Sequence, residues 1–526
     1  MKKRLIFHPL LFALYPALEL YFNLSPEVEF SQTWRALPLL MALTALLWYA
    51  LRRRYHDAQR AALVTTALVA GFMFYGFAYR ALWSLSIGNF RVGRHAILFP
   101  LWLAFWGFIA SPAAWRRIRD PQWLTTLLNA VAAFALLISV GRYGFTALRA
   151  QRIAGTEAAT SAAPEVEKTV PLHVTGETLP DIYYLIVDGY GRADMLQALY
   201  AFDNGDFVRF LTEQGFYVAA GSQSNYVQTA LSLASSLNMR YLEGYPPQSG
   251  DRGPLIQLIQ DSRLYRSLAP LGYRLVTVDS GYTPTRLTSA QVFLAPPARG
   301  GLNSYETMLF LSSAGVVLAD AGWVTFPSFG YGMHQTLTRY TFETLPQLPA
   351  LPGPKLVFIH VMSPHPPFVF DREGNPITPD SPYVGGLDGS FFYGSLAEYQ
   401  QGYLEQLQYI NTLLRETLPV LQTASETPPI IVLQADHGPG AFLDWNSAER
   451  TCLWERTAIL NAYYLPGDGA ERLYDTITPV NSFRVILDAY FGAELGLLED
   501  VSYYSPWEQP YRFSPVTTLD SAACHP

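Results

Sequence analysis

Apolar and polar positions follow two different rhythms along this chain. Up to residue 148 the apolar positions run almost unbroken in five segments: Leu5 to Leu24, Ala36 to Leu51, Ala61 to Leu82, Ile97 to Trp115 and Leu124 to Phe145. Each approaches the ~20 residues that a helix needs to cross a bilayer core, so residues 1–148 predict a bundle of about five transmembrane helices. From Leu179 the rhythm changes to short apolar runs alternating with longer amphipathic ones. The runs at 182–187, 273–278, 356–361, 430–435 and 458–465 are nearly continuous in apolar character, as strands buried on both faces are. Between them Asp206 to Gln214, Leu255 to Leu268 and Ser395 to Leu421 carry helical periodicity. Strands alternating with helices predict an α/β domain with a mostly parallel sheet over residues 180–526. The intervening stretch, 149–179, includes "AGTEAATSAAPEVEK", has no period and reads as a linker.

Charge then orients the chain. Charged residues make up only 15% of the sequence, against about 25% in soluble domains. Lys2, Lys3 and Arg4 precede the first span, Arg52, Arg53, Arg54 and Arg60 separate the second from the third, and Arg116, Arg117 and Arg119 separate the fourth from the fifth. With five spans all three groups fall on one side, and basic loops stay in the cytoplasm. The expected placement is therefore multi-pass in the cytoplasmic membrane, with everything after Phe145 outside. Arg80, Arg91 and Arg94 fall on the opposite side from this majority. No small-residue cleavage site follows Leu24, so the first segment reads as a retained helix rather than a signal peptide, and its His8 and Glu19 read as interfacial residues near its ends. A net charge of −7 provides no basic stripe for nucleic acid. The two cysteines, Cys452 and Cys524, both fall in the external part, where either a disulfide or two buried thiols is compatible with the sequence.

Chemistry is concentrated where the strands end. In open α/β sheets the functional crevice lies beyond the carboxyl ends of the strands. The first run ends at Asp188-Gly189, the second at Asp279, the third carries His360 and leads to His365, and the fourth ends at Asp436-His437-Gly438. Carboxylate and imidazole together form a ligand set for Zn²⁺ or Mn²⁺. Asp436 and His437 alone are equally compatible with a helix cap and a loop histidine, and Asp188 with a turn; two such strand ends together supply a mixed site. Thr229 opens the apolar helical pattern after "SNYVQ". It suits a cap and also a nucleophile, since a helix N-terminus favours both an alkoxide and an incoming phosphate. His365, held between prolines, has less structural reason for its position than His360 within the strand.

In this order, Asp188, Thr229, His365 and Asp436-His437-Gly438, the external part resembles the alkaline phosphatase and sulfatase superfamily over roughly Leu179 to Leu498. "TPVNSFRVILDAYFG", Thr478 to Gly492, looks like the late helix of its membrane-bound members. Five spans followed by an external domain are similar to lipoteichoic acid synthases and lipid A phosphoethanolamine transferases. That resemblance implies one Zn²⁺ or Mn²⁺ on Asp188, Thr229, Asp436 and His437, and Thr229 as the covalent nucleophile. His365 would hold the phosphate or protonate the leaving group, and His360 or His365 offers a second metal position. It implies transfer of a phosphoethanolamine- or phosphoglycerol-type headgroup from a membrane phospholipid donor to a glycan or glycolipid acceptor. Two departures matter. "TALSL" lacks the Cys and the following Arg of the sulfatase formylglycine motif, which argues against sulfate esters, and the first ligand is Asp188 where the closest transferases often have Glu. The rival expectations are a phosphodiesterase or phosphatase that passes the phosphoryl group to water, and a non-catalytic envelope component that binds a glycan. Aromatics in Gly385 to Gly394 offer a sugar platform or a loop packed on itself.

Overall fold

The computed structural model describes residues 5–24, 30–82, 85–87, 90–91, 93–111, 121–160, 168–173, 179–297, 302–321, 323–324, 330–379, 388–519 and Cys524. Lys2, Lys3, Arg4, Arg116, Arg117, Arg119 and the glycines at 385 and 386 lie outside them. The chain forms two compact units, residues 1–159 with 298–329, and residues 160–297 with 330–526.

The first unit is helical: His8–Leu24, Ala36–Tyr55, Ala58–Met73, Tyr75–Leu82, His95–Ala110 and Gln122–Thr160. Helices thus occupy all five apolar segments. Two of them, Ala36–Tyr55 and Gln122–Phe145, are long and apolar enough to cross a membrane. A third span results if Ala58–Met73 and Tyr75–Leu82, bent by 42°, count as one. Between the second and third helices His56 takes a left-handed φ of 52°, and the Asp57 carboxylate caps the next helix by accepting from the Gln59 and Arg60 amides at 2.9 and 3.2 Å. His8, expected at an interface, is instead fully buried, its Nδ1 2.6 Å from Thr66 Oγ1, and Glu19 is paired with Arg142. The helix Gln122–Thr160 also runs through the first part of the expected linker, because Ala-rich sequence is helix-forming without any amphipathic period.

A second piece of chain completes this unit. Residues 302–324, sequentially inside the external domain, form helices Ser304–Leu311 and Val316–Asp320 and clasp the helical ends. Glu306 accepts from Arg35 Nε and NH2 at 3.0 and 2.7 Å. Asn303 donates to the Gln32 carbonyl at 2.8 Å, Tyr305 to the Ala17 carbonyl at 2.8 Å, and the Ala314 amide to the Phe72 carbonyl at 2.7 Å. Asp320 lies 2.7 Å from His95 Nε2, and Arg80 donates to Ser312 Oγ at 3.1 Å. Gly76 permits this approach, since a Cβ there would sit 2.5 Å from the Ser312 carbonyl carbon. Arg80, an exception to the charge rule, therefore has a structural partner in this segment.

The second unit is the α/β domain. Its main sheet has seven strands among the described residues, β1 (Ile182–Val187), β2 (Tyr217–Val218), β3 (Arg274–Val278), β4 (Val292–Leu294), β5 (Lys355–Val361), β6 (Ile430–Gln434) and β7 (Asn461–Tyr464), in the order β2-β7-β6-β1-β5-β3-β4. The five from β6 to β4 are parallel, and β7 pairs antiparallel with both β6 and β2. All six residues of β1 are buried. Strand periodicity sends Ile182, Tyr184 and Ile186 into one core and Tyr183, Leu185 and Val187 into the other, so both faces of the sheet are covered. One core includes the helices Thr229–Asn238 and Pro479–Phe491, and the other the helix Leu396–Ala424. Cys452 and Cys524 form a disulfide.

Candidate active site

The carboxyl ends of β1, β5 and β6 are adjacent in the sheet, and the reactive side chains meet there. Asp188 follows β1, and its amide donates to the Val361 carbonyl at 2.9 Å. Gly189, with φ +73°, turns the chain, and its amide donates to Asp436 Oδ1 at 3.2 Å. Gly438 allows a close backbone approach: a Cβ there would lie 2.0 Å from the Glu455 carbonyl oxygen.

His437 Nε2 is the hub. It lies 3.1 Å from Thr229 Oγ1, 3.3 Å from Asp436 Oδ2 and 3.6 Å from Asp188 Oδ1. Its Nδ1 faces the Gly438 carbonyl at 2.9 Å; a carbonyl only accepts, so the proton sits on Nδ1 and Nε2 presents a lone pair. Burial and the Arg456 guanidinium lower its pKa, which keeps the ring neutral. Thr229 is the first residue of its helix, after Gln228 in extended conformation, and no side chain caps that end. Thr229 is partly exposed whereas Asp188, Asp436 and His437 are buried.

On the β5 side, His360 Nε2 is 3.3 Å from Asp188 Oδ2 while its Nδ1 pairs with Thr285 Oγ1 at 2.9 Å. Asp188 Oδ1, Asp436 Oδ2 and His360 Nε2 are buried without a hydrogen-bond partner. Leaving such groups unpaired is costly, and their chemistry is that of a divalent-cation site. Two trios have ligand atoms within 4.8 Å of one another, Asp188–His365–His437 and Asp188–His360–Asp436. Buried carboxylates flanked by imidazoles fit Zn²⁺ or Mn²⁺.

His365 stands apart from the other histidines. Its Nδ1 faces the Pro366 carbonyl at 2.7 Å and its Nε2 faces Asp388 Oδ2 at 3.4 Å, so both nitrogens meet acceptors. Burial works against its charge, but Asp188 and Asp388 prevail and raise its pKa to about 9. With no cation on Asp188, these two carboxylates favour the protonated ring, which would not then serve as a ligand in the first trio. Asp188 is held well below the ordinary carboxylate range: burial opposes its charge, and His365, His360 and His437 outweigh that.

Sequence reasoning missed two residues. Asp388, from the stretch read only for its aromatics, accepts from Arg456 NH1 at 2.6 Å and Tyr399 OH at 2.7 Å. Arg456, only 1% exposed, also donates to the Gly438 and Val227 carbonyls at 3.0 Å each, and its NH2 lies 3.2 Å from His437 Nε2. The signal was present: Glu455-Arg456 is a charged pair inside the otherwise uncharged "TCLWERTAIL". Asp279, one of the four strand-end candidates, stays out of this cluster. Its carboxylate takes Arg286 Nε at 3.1 Å and the Gly281 amide at 3.0 Å. Phe392, from the aromatic loop, packs on Phe368 and Tyr399, so that ring belongs to the domain's own packing.

No protein-family model and no curated protein matches this chain. Among solved structures it is similar to the C-terminal periplasmic domain of EptC from Escherichia coli in complex with Zn, at 10% identity and a TM-score of 0.44, covering 68% of this chain and 99% of that one. The lipooligosaccharide phosphoethanolamine transferase EptA from Neisseria meningitidis, an integral membrane protein, is similar over 92% of this chain and 95% of its own, at 12% identity and a TM-score of 0.40. The phosphonate monoester hydrolase of Agrobacterium radiobacter is similar over 62% of this chain and 80% of its own, at 14% identity and a TM-score of 0.36.

Proposed function

We propose that this chain is a membrane-anchored, metal-dependent phosphotransferase that moves a phosphoethanolamine- or phosphoglycerol-type headgroup from a membrane phospholipid to an envelope glycan or glycolipid. The observation that carries this reading is a partly exposed hydroxyl, Thr229 Oγ1, at an uncapped helix start and 3.1 Å from the bare Nε2 of His437. The carboxylates beside it have unpaired buried oxygens.

Asp188, Thr229, Asp436 and His437 would hold one Zn²⁺ or Mn²⁺, and His360 would supply a ligand for a second. When bound, the cation neutralises charge and lowers the pKa of the hydroxyl it touches. Thr229 first gives up its hydroxyl proton to solvent; its Oγ then bonds to the donor phosphorus as the bond to the lipid oxygen breaks, the helix N-terminus favours the phosphate, and Thr229 later departs as the same alkoxide. His365 gives its proton to that departing oxygen. In the second half, an acceptor hydroxyl returns a proton to His365 while its oxygen displaces Thr229 from phosphorus. Arg456 holds Asp388 in place, and Asp388 keeps His365 charged. Positioning and charge neutralisation are what phosphoryl transfer chiefly requires. The catalytic unit works on the extracytoplasmic side, and the apolar helices keep it beside its lipid donor.

The test uses full-length protein in nanodiscs containing phosphatidylethanolamine and phosphatidylglycerol. Bound metal is quantified by mass spectrometry, and the intact mass is followed for a headgroup adduct. Wild type is expected to carry one or two metal equivalents and to form the adduct, whereas Thr229→Ala forms none and loses at least about a thousandfold in turnover. Adduct decay to free headgroup in water, at the rate seen with a glycan acceptor, would move the reading to a hydrolase. Metal-free protein without an adduct under any added divalent ion would overturn it.

A further inference from the structure

Beside this site, the catalytic unit fixes a second guanidinium in place without an ion pair among the described residues. Arg252 NH2 donates to Gln228 Oε1 at 2.9 Å and to the Trp507 carbonyl at 2.5 Å, and the guanidinium lies 4.2 Å from the centroid of the Trp507 ring. An arginine has five N–H donors. Those on Nε and NH1 have no acceptor among the described residues, and the Glu508 carboxylate, which favours the charge of Arg252 through space, makes no ion pair with it. Arg372 and Arg450, by contrast, pair with Glu405 and Asp444, and Arg456 is committed to Asp388.

Two independent contacts place Arg252 at the site. Gln228, which holds it, immediately precedes Thr229. Tyr282, which with Glu508 and Tyr511 favours the charge of Arg252 through space, has its ring 6.0 Å from that of His360. The surroundings are fixed. Gln228 Nε2 donates to the Ser505 carbonyl, Ser505 Oγ and the Pro506 carbonyl at 3.1, 3.0 and 3.2 Å. Tyr511 OH donates to the Asp251 carbonyl at 2.7 Å, and the Trp507 ring meets Trp445 edge-on at 5.1 Å. Arg252 is partly exposed and Trp507 is 36% exposed, so an incoming molecule can reach both.

We propose that Arg252, stacked on Trp507 and hung from Gln228, is a recognition site for a second anionic group of the phosphate class, carried by the molecule that meets Thr229. This rests on the transfer reading above and names what selects the substrate. A planar, stacked guanidinium with free donors is preorganised for an anion. The phosphate it takes belongs either to a phosphorylated sugar of the acceptor or to the far headgroup of a lipid with two phosphates.

Calorimetry on the full chain carrying Thr229→Ala separates recognition from turnover. Glucosamine 1-phosphate against glucosamine probes the acceptor source, and nanodiscs with cardiolipin against phosphatidylglycerol probe the lipid source. Adding Arg252→Ala is expected to weaken the phosphate-richer probe of one pair at least about tenfold while changing its partner far less, and Arg252→Lys to recover only part, because a point charge replaces the stacked fork. Equal effects on both members of each pair, no effect on either, or no binding of any probe would overturn the proposal; a melting curve for each variant verifies folding. A missing Thr229 adduct in wild type would instead sink the transfer reading and leave this binding result standing.

Discussion

His365 differs from its neighbours because its two nitrogens meet a carbonyl and a carboxylate, whereas His437 turns a bare nitrogen to the centre of the site. That contrast leaves His437 neutral and favours a proton on His365, and in the proposed chemistry it gives them different tasks. It also has a consequence for stability. The folded protein holds the His365 proton up to about pH 9, against 6.5 for an ordinary histidine, so the proton stabilises the fold fully below pH 6.5 and its contribution is lost as pH rises through about 9. In metal-depleted protein the melting temperature is therefore expected to fall between pH 6.5 and 9, by up to ~1.4 kcal/mol of stability per pH unit. His365→Gln should flatten that slope. A slope unchanged in the variant would assign the effect to another group. Glu455, raised to about 7 by burial, loses its own extra proton lower down, between about pH 4.5 and 7, so the upper half of the window isolates His365.

At the scale of elements, what the sequence revealed depended on periodicity. β1, β5 and β6 were legible because buried parallel strands are unbroken apolar runs, and their chemistry was legible because it stands where those runs stop. Asp388 and Arg456 come from a loop and from the five-residue helix Leu453–Thr457, which are too short to carry a period. That helix nevertheless carries Glu455 and Arg456, and it begins at Cys452, whose sulfur accepts the Glu455 amide at 3.4 Å while bonded to Cys524. The bridge closes a loop of 72 residues in sequence, for which the chain-entropy estimate is about 4 kcal/mol. Cys524→Ser is expected to lower the unfolding free energy of the protein by that order under oxidising conditions and to make no difference once reductant is present. An equal loss in reductant would show that packing at position 524, not the bond, is what matters.

For the whole molecule, the segment 302–324 is what sequence order concealed. In sequence it falls inside residues 180–526, read as one α/β domain, and the fold shows its partners to be the ends of the apolar helices. Arg35 and Glu306 make the principal polar contact, with Glu306 8% and Arg35 50% exposed. A double-mutant cycle of Arg35→Ala and Glu306→Ala in detergent-solubilised protein should return a coupling of about 1 kcal/mol, discounted for the exposed arginine. A coupling of zero would mean that Asn303, Tyr305 and Ala314 hold the segment without it.

The same segment imposes an order of manufacture. A chain emerges from the ribosome N-terminus first. The bundle made from residues 1–159 therefore stays unfinished while β1 to β4 are synthesised, and it closes only when 302–324 arrives. Both sheet neighbours of β1, β5 and β6, come later still. The order of synthesis therefore includes a stage at which the helical unit has all its pieces and the central strand of the sheet still lacks both neighbours, and bare strand edges are the kind of surface that pairs with the wrong chain.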